Sequence, residues 1–234
     1  MKKAKVGVII PAAGIGKRMN SSVPKQFLLL EKIPILIRTL QVFQDCKDID
    51  TIVLAVASST IKKTQQLIHR YGITKVSKIV VGGKERQDSV RMGCDAIKMF
   101  EPSFILVHDA VRPFVSESLV LQLIRAAKKY GAAIPAVPMK DTISSVDSES
   151  FLTTIPTREH YRNIQTPQAF RSEILFHAEE QARQENFIGT DESSLVHRLG
   201  LPIYCVESSF SNFKITTDID FEFAKMLIKK RVSS

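Results

Sequence analysis

Short apolar runs, rich in β-branched residues, recur along the chain and alternate with longer segments of helical periodicity. Because these runs are continuous and do not alternate with polar positions, they are typical of strands that are covered on both faces. The regular exchange of strand and helix predicts an α/β fold, in which a parallel sheet has helices on both faces. Six strands are predicted in this way: residues 6–10, 51–56, 78–81, 104–107, 132–137 and 203–206.

Two of the helical segments begin with recognisable capping residues. Ser116 can cap a helix because its hydroxyl can accept a hydrogen bond from an N–H group of the first turn. Nearer the C-terminus, Thr217 and Asp220 have the spacing of a capping box. The helix after Ser116 has a predicted apolar face made of Leu119, Val120, Leu123, Ile124 and Ala127. The predicted apolar face of the last helix consists of Ile219, Phe223, Met226 and Leu227.

One segment, residues 140–158, breaks this rhythm. Its sequence KDTISSVDSESFLTTIPTR predicts two short strands around a turn at residues 147–150. The strands are rich in Ser and Thr, so the hairpin cannot belong to the core. An isolated two-stranded hairpin is only marginally stable in water. We therefore expect it to pack on something else, either as a flap over the active site or as an arm around a second subunit.

The composition is that of an ordinary globular protein. Hydrophobic residues make up 44% of the 234 residues and charged residues 24%, as is usual for soluble domains. A chain of this length can bury a substantial core without disulfides or metal. It has no internal repeat or low-complexity linker, so we expect one domain over residues 1–234. No apolar run approaches the roughly 20 residues that a membrane helix needs, and we expect no membrane partner.

The cysteines and the N-terminus indicate the compartment. Cys46, Cys94 and Cys205 are far apart and include no C-x-x-C pair. This spacing argues against a disulfide framework or a zinc site and favours a reducing, cytoplasmic location. The first apolar run is interrupted by Pro11, which leaves it too short for a secretory signal.

The net charge of +9 favours an anionic partner. Nucleic acid, an acidic membrane surface and a phosphorylated small molecule all fit this charge. However, the charges are dispersed, the chain has no Trp, and no basic stripe is interleaved with aromatic residues. Nucleic-acid binding is therefore disfavoured.

The first candidate for chemistry is the segment PAAGIGKRMNSSVPKQ, residues 11–26, which follows the first strand. Ligands bind outside the carboxyl ends of strands in a doubly wound sheet, and small residues let a phosphate approach backbone N–H groups. Neither a P-loop nor a dinucleotide fingerprint fits, because Arg18 and Met19 stand at the decisive positions. An ordinary glycine turn with solvated lysines remains the alternative. The small residues are Ala12, Ala13, Gly14 and Gly16, and the cations are Lys17, Arg18 and Lys25.

Two further segments follow predicted strands. In GGKERQDSVRMG, residues 82–93, Gly83 and Ser89 could meet a ligand, although a glycine turn with a serine cap is the simpler interpretation. In VHDAVRPF, residues 107–114, Asp109 could meet a ribose hydroxyl, a polyol or a metal ion. The alternative is an Asp109–Arg112 salt bridge in a loop, and His108 is better explained as a structural residue than as a catalyst.

Together, and in this order, these segments resemble the 2-C-methyl-D-erythritol 4-phosphate cytidylyltransferase family over essentially the whole chain. The blocks are PAAGIGKRM with PKQ, GGKERQDSV, VHDAVRP, the KDT hairpin, TPQAF, TDESS and NFKIT. The resemblance implies transfer of CMP from CTP to 2-C-methyl-D-erythritol 4-phosphate in the non-mevalonate isoprenoid pathway. It also implies a Rossmann-like, mostly parallel sheet with a protruding β-hairpin arm, residues 140–158, that forms a homodimer.

The resemblance also implies roles for individual residues. Arg18 and Lys25 would stabilise charge at the α-phosphate, and Arg158 and Lys214 would hold the incoming phosphate, with Arg158 reaching across from a partner subunit. A Mg²⁺ ion would be held mainly by the CTP phosphates, without a clear protein ligand set beyond Asp109. The nucleotide would be bound by Pro11, Ala12, Ala13, Gly14 and Gly16, and its base by Gly83 and Ser89. The polyol side would be lined by Asp109, Ala110, Arg112, Thr142, Thr166 and Thr190.

Two rival functions remain at this point. Ribitol-5-phosphate cytidylyltransferases share much of the pattern, and the two polyol phosphates make similar demands on a site. A nucleotide-binding module without catalysis is disfavoured, because it would not need Arg158 and Lys214. The chain departs from the family pattern at Lys84, beside the expected base contact, and at Ser208 and Ser211, ahead of the segment that contains Lys214.

Overall fold

The computed structural model describes residues 4–14 and 23–232. Within them the chain forms an eight-stranded mixed sheet, two short two-stranded sheets and seven α-helices. The strands are β1 (Val6–Ala12), β2 (Leu29–Leu30), β3 (Ile33–Pro34), β4 (Thr51–Val56), β5 (Val76–Val81), β6 (Phe104–Val107), β7 (Ala132–Pro138), β8 (Ser145–Val146), β9 (Leu152–Thr154), β10 (Arg162–Ile164), β11 (Gln168–Arg171) and β12 (Tyr204–Glu207). The helices are α1 (Ile35–Asp45), α2 (Ile61–Arg70), α3 (Arg86–Ile97), α4 (Glu117–Tyr130), α5 (Ser172–Gln184), α6 (Glu192–Arg198) and α7 (Asp218–Val232).

The central sheet is mostly parallel, as predicted. Its strands follow the order β10-β7-β11-β6-β1-β4-β5, and β12 pairs with β7. Strands β6, β1, β4 and β5 run parallel to one another, and β12 runs parallel to β7. Strands β10 and β11 are antiparallel to their neighbours. All six predicted strands are present with small differences at their ends, whereas β10 and β11, which mix polar and apolar residues over three or four positions, were not predicted.

Separate sets of helices cover the two faces of the sheet. Val8 and Ile10 of β1 pack into a core with residues of α1 and α4, whereas Ile9 packs into a core with α3, α5 and α6 on the other side. The same division recurs in β4 and β6. Successive side chains of a strand point to opposite faces, so continuous apolar runs are what a doubly covered sheet requires. The predicted α/β architecture is therefore confirmed.

The prediction that both faces are buried was wrong for two of the six strands. In β5 the side chains of Ser77 and Lys78 are exposed, and in β12 only Val206 is buried. Within the described residues each of these strands pairs along a single edge, β5 with β4 and β12 with β7. A strand at the margin of a sheet has less covering structure than a central one, so polar side chains are tolerated there.

The two predicted helix caps are present. The Ser116 hydroxyl accepts a hydrogen bond from the N–H of Leu119 at 3.2 Å, and the predicted apolar face of α4 is buried. At α7, the Asp220 carboxylate accepts from Thr217 N–H at 2.8 Å, and the Thr217 hydroxyl accepts from Asp220 N–H at 3.3 Å.

The predicted apolar face of α7 was wrong. Ile219 is 81% exposed and Met226 is also exposed, while Ala224 and Ile228 are buried. The buried side of α7 belongs to a third apolar cluster that also contains Leu30, Ile35, Val111, Phe114 and Ile215. The helix therefore docks on residues flanking the loop after β6 and thereby holds residues 212–217 against that loop.

Residues 140–158, called the arm below, contain the predicted hairpin. Strands β8 and β9 are antiparallel, and Asp147 N–H donates to the carbonyl of Phe151 at 3.0 Å across the predicted turn. Every side chain from 144 to 155 is exposed, including those of Phe151, Leu152 and Ile155. None of the helices in the described part of the chain has the length and apolar character needed to cross a bilayer.

The close packing of α3 on β1 yields a stability prediction. A Cβ added at Gly93 would overlap Cγ2 of Ile9, a fully buried side chain. Ala has a higher helix propensity than Gly, but overpacking a core costs about 1–3 kcal/mol. Gly93→Ala should therefore lower the free energy of unfolding in urea by about 1–3 kcal/mol. Met92→Ala, at an exposed position of the same helix, is the control, and a Gly93→Ala variant more stable than the native chain would contradict this packing.

Candidate active site

A cleft of about 160 Å³ opens at the carboxyl ends of β1, β5 and β6. Parallel strands end at the same edge of the sheet, which is where ligands bind in folds of this class. Three loops that were predicted separately, those after β1, β5 and β6, therefore meet in one place. The cleft is lined by Pro11, Ala12, Ala13, Gly14, Lys25, Gln26, Gly83, Lys84, Glu85, Arg86, Ser89, Asp109, Ala110, Val111 and Lys214.

The start of the first loop is held by Gln26, a residue to which the sequence analysis gave no role. Its Nε2 donates to the carbonyl of Ala12 at 2.8 Å and to that of Gly14 at 3.3 Å, and its side chain is buried. These hydrogen bonds hold the backbone of Ala12 and Gly14 in place at the edge of the cleft. The neighbouring Lys25 lines the cleft, and its Nζ donates to the carbonyl of Ile215 at 3.3 Å.

The second loop is a tight turn that leads into α3. Gly83 N–H donates to the Ser89 hydroxyl at 3.2 Å, and that hydroxyl donates to the carbonyl of Glu85 at 3.2 Å. A Cβ at Gly82 would lie 2.5 Å from Cβ of Ala13 and 2.7 Å from Oγ of Ser89, so glycine is required where this turn abuts the first loop. The positive end of the α3 dipole faces the cleft, which favours an anion there.

Asp109 lies in the middle of the cleft wall and contacts three cationic side chains. Its Oδ1 accepts from Arg86 Nε at 3.1 Å, and its Oδ2 contacts Arg112 Nε at 3.2 Å and Lys214 Nζ at 3.1 Å. Burial alone would raise the pKa of Asp109, but the charges of Arg86, Lys214 and Arg112 hold it well below its usual range. The carboxylate is therefore ionised at any physiological pH. The Asp109–Arg112 pair foreseen as the simpler alternative is present, as one part of a larger cluster.

A hydrogen-bonded chain behind Asp109 fixes its backbone. Nε2 of His108 lies 3.1 Å from the carbonyl of Arg112. A carbonyl can only accept, so this nitrogen carries the proton. Nδ1 therefore accepts from the Thr166 hydroxyl at 2.9 Å, and that hydroxyl accepts from Asp109 N–H at 3.1 Å. Burial lowers the pKa of His108 to about 3. His108 is thus a neutral structural residue, as predicted.

The predicted site residues that the structure describes occupy four different places. Lys25, Lys214 and two residues predicted for the polyol side, Asp109 and Ala110, line the cleft. So do the predicted nucleotide-binding residues that the structure describes, which are Pro11, Ala12, Ala13, Gly14, Gly83 and Ser89. Arg112, which is mostly buried, and Thr166, which is almost fully buried, lie behind Asp109 and do not line the cleft. Gly16 and Arg18 lie outside the described residues.

The remaining predicted residues lie apart from the cleft. Thr190 lines a neighbouring cavity of about 180 Å³. Thr142 and Arg158 are exposed on the arm, where Arg158 Nη1 donates to the carbonyl of Lys140 at 2.6 Å. Within one subunit, the predicted cations for the incoming phosphate are therefore not assembled in one place.

An ion pair between Arg86 and Glu192 was missed. Arg86 Nη1 and Nη2 donate to the two carboxylate oxygens of Glu192 at 2.7 and 3.0 Å. Both residues occur in motifs that the sequence analysis quoted, GGKERQDSV and TDESS. Each stands in the first turn of a helix, where an acidic or basic residue is common, so no local signal distinguishes them. Their pairing depends on α3 and α6 being brought together by the fold.

The donor set of the cleft does not fit a protein-held metal ion. In residues 4–14 and 23–232, no three His, Cys, Asp or Glu side chains are grouped so that they could hold one. The carboxylates among the described lining residues are Glu85 and Asp109. The three cationic groups around Asp109 oppose the approach of a divalent cation.

Close to this network lies a further buried carboxyl group, that of Glu179 on α5. Neither of its oxygens has a hydrogen-bond partner among the described residues. Burial, reinforced by the charges of Glu192 and Asp95 and opposed by those of Arg91 and Arg86, raises the pKa of Glu179 to about 8. Glu179 is therefore protonated at neutral pH.

Comparison with known proteins identifies the family. A sequence profile for 2-C-methyl-D-erythritol 4-phosphate cytidylyltransferase matches residues 6–230. A relative of that name from Syntrophus aciditrophicus (strain SB) is 42% identical over 229 residues, which cover 97% of each chain. Another, from Geobacillus thermodenitrificans (strain NG80-2), is 43% identical over 225 residues, 96% of this chain and 97% of the relative. The chain belongs to this family.

Solved structures agree with the assignment. The 4-diphosphocytidyl-2C-methyl-D-erythritol synthase from Anaerococcus prevotii DSM 20548 superposes with a TM-score of 0.85 at 30% identity, covering 97% of both chains. The 2-C-methyl-D-erythritol 4-phosphate cytidylyltransferase from Thermus thermophilus superposes with a TM-score of 0.78 at 32% identity, covering 96% of this chain and 99% of that one. The family hypothesis is thus confirmed, and the chain is a nucleotidyltransferase.

The raised pKa of Glu179 predicts how stability depends on pH. Between its ordinary pKa of 4.5 and about 8, the folded chain keeps a proton that the unfolded chain has released. Stability must therefore fall as the pH rises through this window. Glu179→Gln cannot ionise and should lose less stability, with a difference of a few kcal/mol at most, since each pKa unit is worth about 1.4 kcal/mol.

Urea titrations of both proteins at pH 5 and at pH 8.5 measure this difference. Glu173→Gln, at an exposed position of the same helix, serves as the control and should behave like the native chain. Identical pH dependence in the native chain and Glu179→Gln would show that Glu179 is ionised in the folded state.

Proposed function

We propose that this member of the family transfers CMP from CTP to 2-C-methyl-D-erythritol 4-phosphate, with release of pyrophosphate. The product is 4-diphosphocytidyl-2-C-methyl-D-erythritol, in the non-mevalonate pathway of isoprenoid synthesis. The observation that supports this best is that Lys25 and Lys214 line one cleft together with the small residues of the first loop and the turn at Gly83. Cations and backbone N–H groups at a sheet's carboxyl edge suit a triphosphate and a second phosphate.

The reaction needs no nucleophile from the protein. A non-bridging oxygen of the polyol phosphate attacks the α-phosphorus of CTP and forms a P–O bond. The bond from that phosphorus to the oxygen shared with the β-phosphate breaks, and pyrophosphate leaves with the electron pair. Because the attacking phosphate is already an anion at neutral pH, no general base is required. His108 could not serve as one in any case, because burial lowers its pKa to about 3 and both of its ring nitrogens are engaged in hydrogen bonds.

The difficulty of the reaction is to bring two anions together. Positioning and neutralisation of charge are therefore the main contributions of the enzyme. In our proposal Lys25, with Arg18, neutralises charge at the α-phosphate. Lys214 turns from Asp109 toward the incoming phosphate, because the phosphate carries more negative charge than the carboxylate. Asp109 then accepts a hydrogen bond from a hydroxyl group of the polyol.

The base is assigned to the second loop. The backbone at Gly83 and the Ser89 side chain line the cleft beside the first loop. Ser89 is buried and held within the turn, so the edge that a base meets is rigid. A rigid set of hydrogen-bonding groups matched to cytosine would leave groups unpaired with uracil, and this gives a preference for CTP.

A Mg²⁺ ion would enter with the triphosphate. Magnesium usually keeps several waters and is bound through substrate phosphates with few protein ligands. Since the carboxylates of the cleft do not form a binding set for it, the ion's ligands would be phosphate oxygens and water. Its chemistry when bound is to neutralise the triphosphate.

The arm completes the site from a second subunit. Arg158 and Thr142 do not reach the cleft of their own chain, and the arm exposes Phe151, Leu152 and Ile155. Exposed apolar groups of this kind are typical of a surface that another chain covers. We therefore propose a homodimer in which each arm carries Arg158 to the partner's cleft. Residues 1–234 would act as one domain, in the cytoplasm.

Pyrophosphate release tests the proposed reaction directly. The purified chain is given CTP and Mg²⁺ with either 2-C-methyl-D-erythritol 4-phosphate or ribitol 5-phosphate, and UTP replaces CTP in a parallel series. We expect the highest kcat/KM with CTP and the methylerythritol phosphate. Equal kcat/KM for ribitol 5-phosphate would contradict the acceptor assignment, and equal kcat/KM for UTP would contradict the base assignment.

Substitutions of Lys25 and Lys214 should have different kinetic effects, because the two lysines are assigned to different phosphates. Lys25→Ala should lower kcat by about 10²-fold, as loss of a group that stabilises transition-state charge does. Lys214→Ala should raise KM for the polyol phosphate and lower kcat, because it both holds and aims that phosphate. CTP affinity, measured by calorimetry, should remain near the native value in Lys214→Ala. Arg158→Ala should behave like Lys214→Ala.

Lys62→Ala, an exposed lysine on α2, is the matched control and should leave all parameters unchanged. Folding of each variant is checked by circular dichroism. If Lys214→Ala weakened CTP binding as much as it weakened polyol-phosphate turnover, Lys214 would belong to the nucleotide half.

The dimer proposal predicts that substitutions in the arm lower the molecular mass that the protein shows in sedimentation. Replacing Phe151 and Leu152 by Ser removes apolar surface from the arm without touching the core, so dissociation into folded monomers is expected. Turnover should fall with it, because Arg158 would no longer reach a partner's cleft. Met99→Ser, an exposed apolar position far from the arm in the sequence, is the control. A native chain that sediments as a monomer at micromolar concentration would rule the proposal out.

A further inference from the structure

Arg86 joins two buried carboxylates. Its two Nη atoms donate to the two oxygens of Glu192 at 2.7 and 3.0 Å, and its Nε donates to Oδ1 of Asp109 at 3.1 Å. A guanidinium group matches a carboxylate in this two-bond arrangement, whereas a lysine ammonium is a point charge with no fixed fork. Both edges of the Arg86 guanidinium are therefore occupied by specific partners.

The position of Arg86 places this contact between two spaces. The cleft that holds Lys25 and Lys214 and the neighbouring cavity that holds Thr190 share Glu85 and Arg86 as lining residues. Arg86 is therefore part of the wall of the candidate active site. It is the first residue of α3, directly after the loop that is assigned to the base.

Glu192 gives Arg86 a rigid anchor. The Glu192 side chain is 1% exposed, while that of Arg86 is 27% exposed. Removing one partner of a buried ion pair leaves an uncompensated charge and is strongly unfavourable. Burial alone would lower the pKa of Arg86, but Glu192 and Asp109 keep it above its ordinary value. The guanidinium thus stays charged and is held from its buried side.

The Arg86 guanidinium determines how the Asp109 carboxylate is oriented. Its Oδ1 is held by Arg86, and its Oδ2 is shared by Arg112 and Lys214. Without Arg86, Oδ1 would lose its cation, and the carboxylate would be free to turn both oxygens toward Lys214. Lys214 would then be bound more tightly to Asp109 and would be less available to a phosphate.

Resting on the proposed function, we propose that Arg86, anchored by Glu192, is a positioning residue for the polyol-phosphate half of the site. It fixes the orientation of the Asp109 carboxylate and so keeps Lys214 exchangeable between Asp109 and the incoming phosphate. Arg86 acts through Asp109 in this proposal and contacts neither substrate.

Steady-state kinetics and calorimetry on single variants form the first test. Arg86→Gln should raise KM for the polyol phosphate about tenfold, a typical size for coupling between contacting residues. CTP affinity should stay within about threefold of the native value. Arg86→Lys should not restore KM, because the charge is kept but the fork is lost. Arg91→Gln is the matched control, since Arg91 is an ion-paired arginine of the same helix, 3.0 Å from Asp88.

A paired substitution covers the case in which Arg86→Gln fails to fold. The double variant Arg86→Gln/Glu192→Gln removes both charges of the ion pair, so position 192 no longer holds a buried carboxylate that needs a cation. This double variant should fold, as judged by circular dichroism, and should show the same rise in KM.

A double-mutant cycle decides whether Arg86 acts through Asp109. In an Asp109→Asn background, Arg86→Gln should cause no further rise in KM for the polyol phosphate, because the carboxylate it positions is gone. Equal effects of Arg86→Gln in both backgrounds would overturn the proposal, as would a native KM in Arg86→Gln. A loss of CTP affinity equal to the rise in KM would also overturn it. Absence of turnover in the native enzyme would instead reject the proposed function itself.

Discussion

The buried carboxylate of Asp109 is the constraint around which the candidate active site is built. Its side chain is only 7% exposed. A charge so buried must be compensated by nearby cations, because its desolvation is expensive. Three segments that are distant in the sequence supply them: the first turn of α3 through Arg86, the loop after β6 through Arg112, and residues 212–217 through Lys214. The packing of α7 and the third apolar cluster serves this convergence, because it fixes the last of these segments beside the loop that carries Asp109.

In this arrangement, the charges of Asp109 and His108 do not change with pH near neutrality. Asp109 stays ionised and His108 stays neutral, because the pKa of each lies well below the physiological range. Such a cleft suits the joining of two phosphates, where the requirement is fixed positive charge and rigid geometry rather than a titrating base. The titrating carboxyl group nearby, Glu179, lies on α5 and is outside the residues that line the cleft.

The parts of the fold that the sequence predicted correctly are those set by local patterns. Apolar runs identified the central strands, and capping residues marked the starts of α4 and α7. The exposed faces of β5 and β12 and the buried face of α7 depend on which neighbours are present, and a local pattern does not contain this information. The Arg86–Glu192 pair was missed for the same reason, since its partners lie on different helices.

The residues of the site divide in a similar way. Those next to small-residue loops, such as Ala13, Gly83 and Lys25, were placed in the cleft by strand position together with the family resemblance. Gln26 and Thr166 act through hydrogen bonds to backbone groups, and residue type alone did not reveal these roles. Arg158 and Thr142 lie on the arm, apart from the cleft of their own chain, so the fold of one chain does not bring them into the site.

Replacing Asp109 by Asn tests most directly whether this carboxylate organises the acceptor half of the site. Asn has nearly the same shape but lacks the charge that holds Arg86, Arg112 and Lys214 together. The measurement is CTP affinity by calorimetry, together with kcat/KM for 2-C-methyl-D-erythritol 4-phosphate from pyrophosphate release. The account predicts CTP affinity within about threefold of the native value and a fall in kcat/KM of about 10²-fold or more. Native turnover, or an equal loss of CTP affinity, would contradict it.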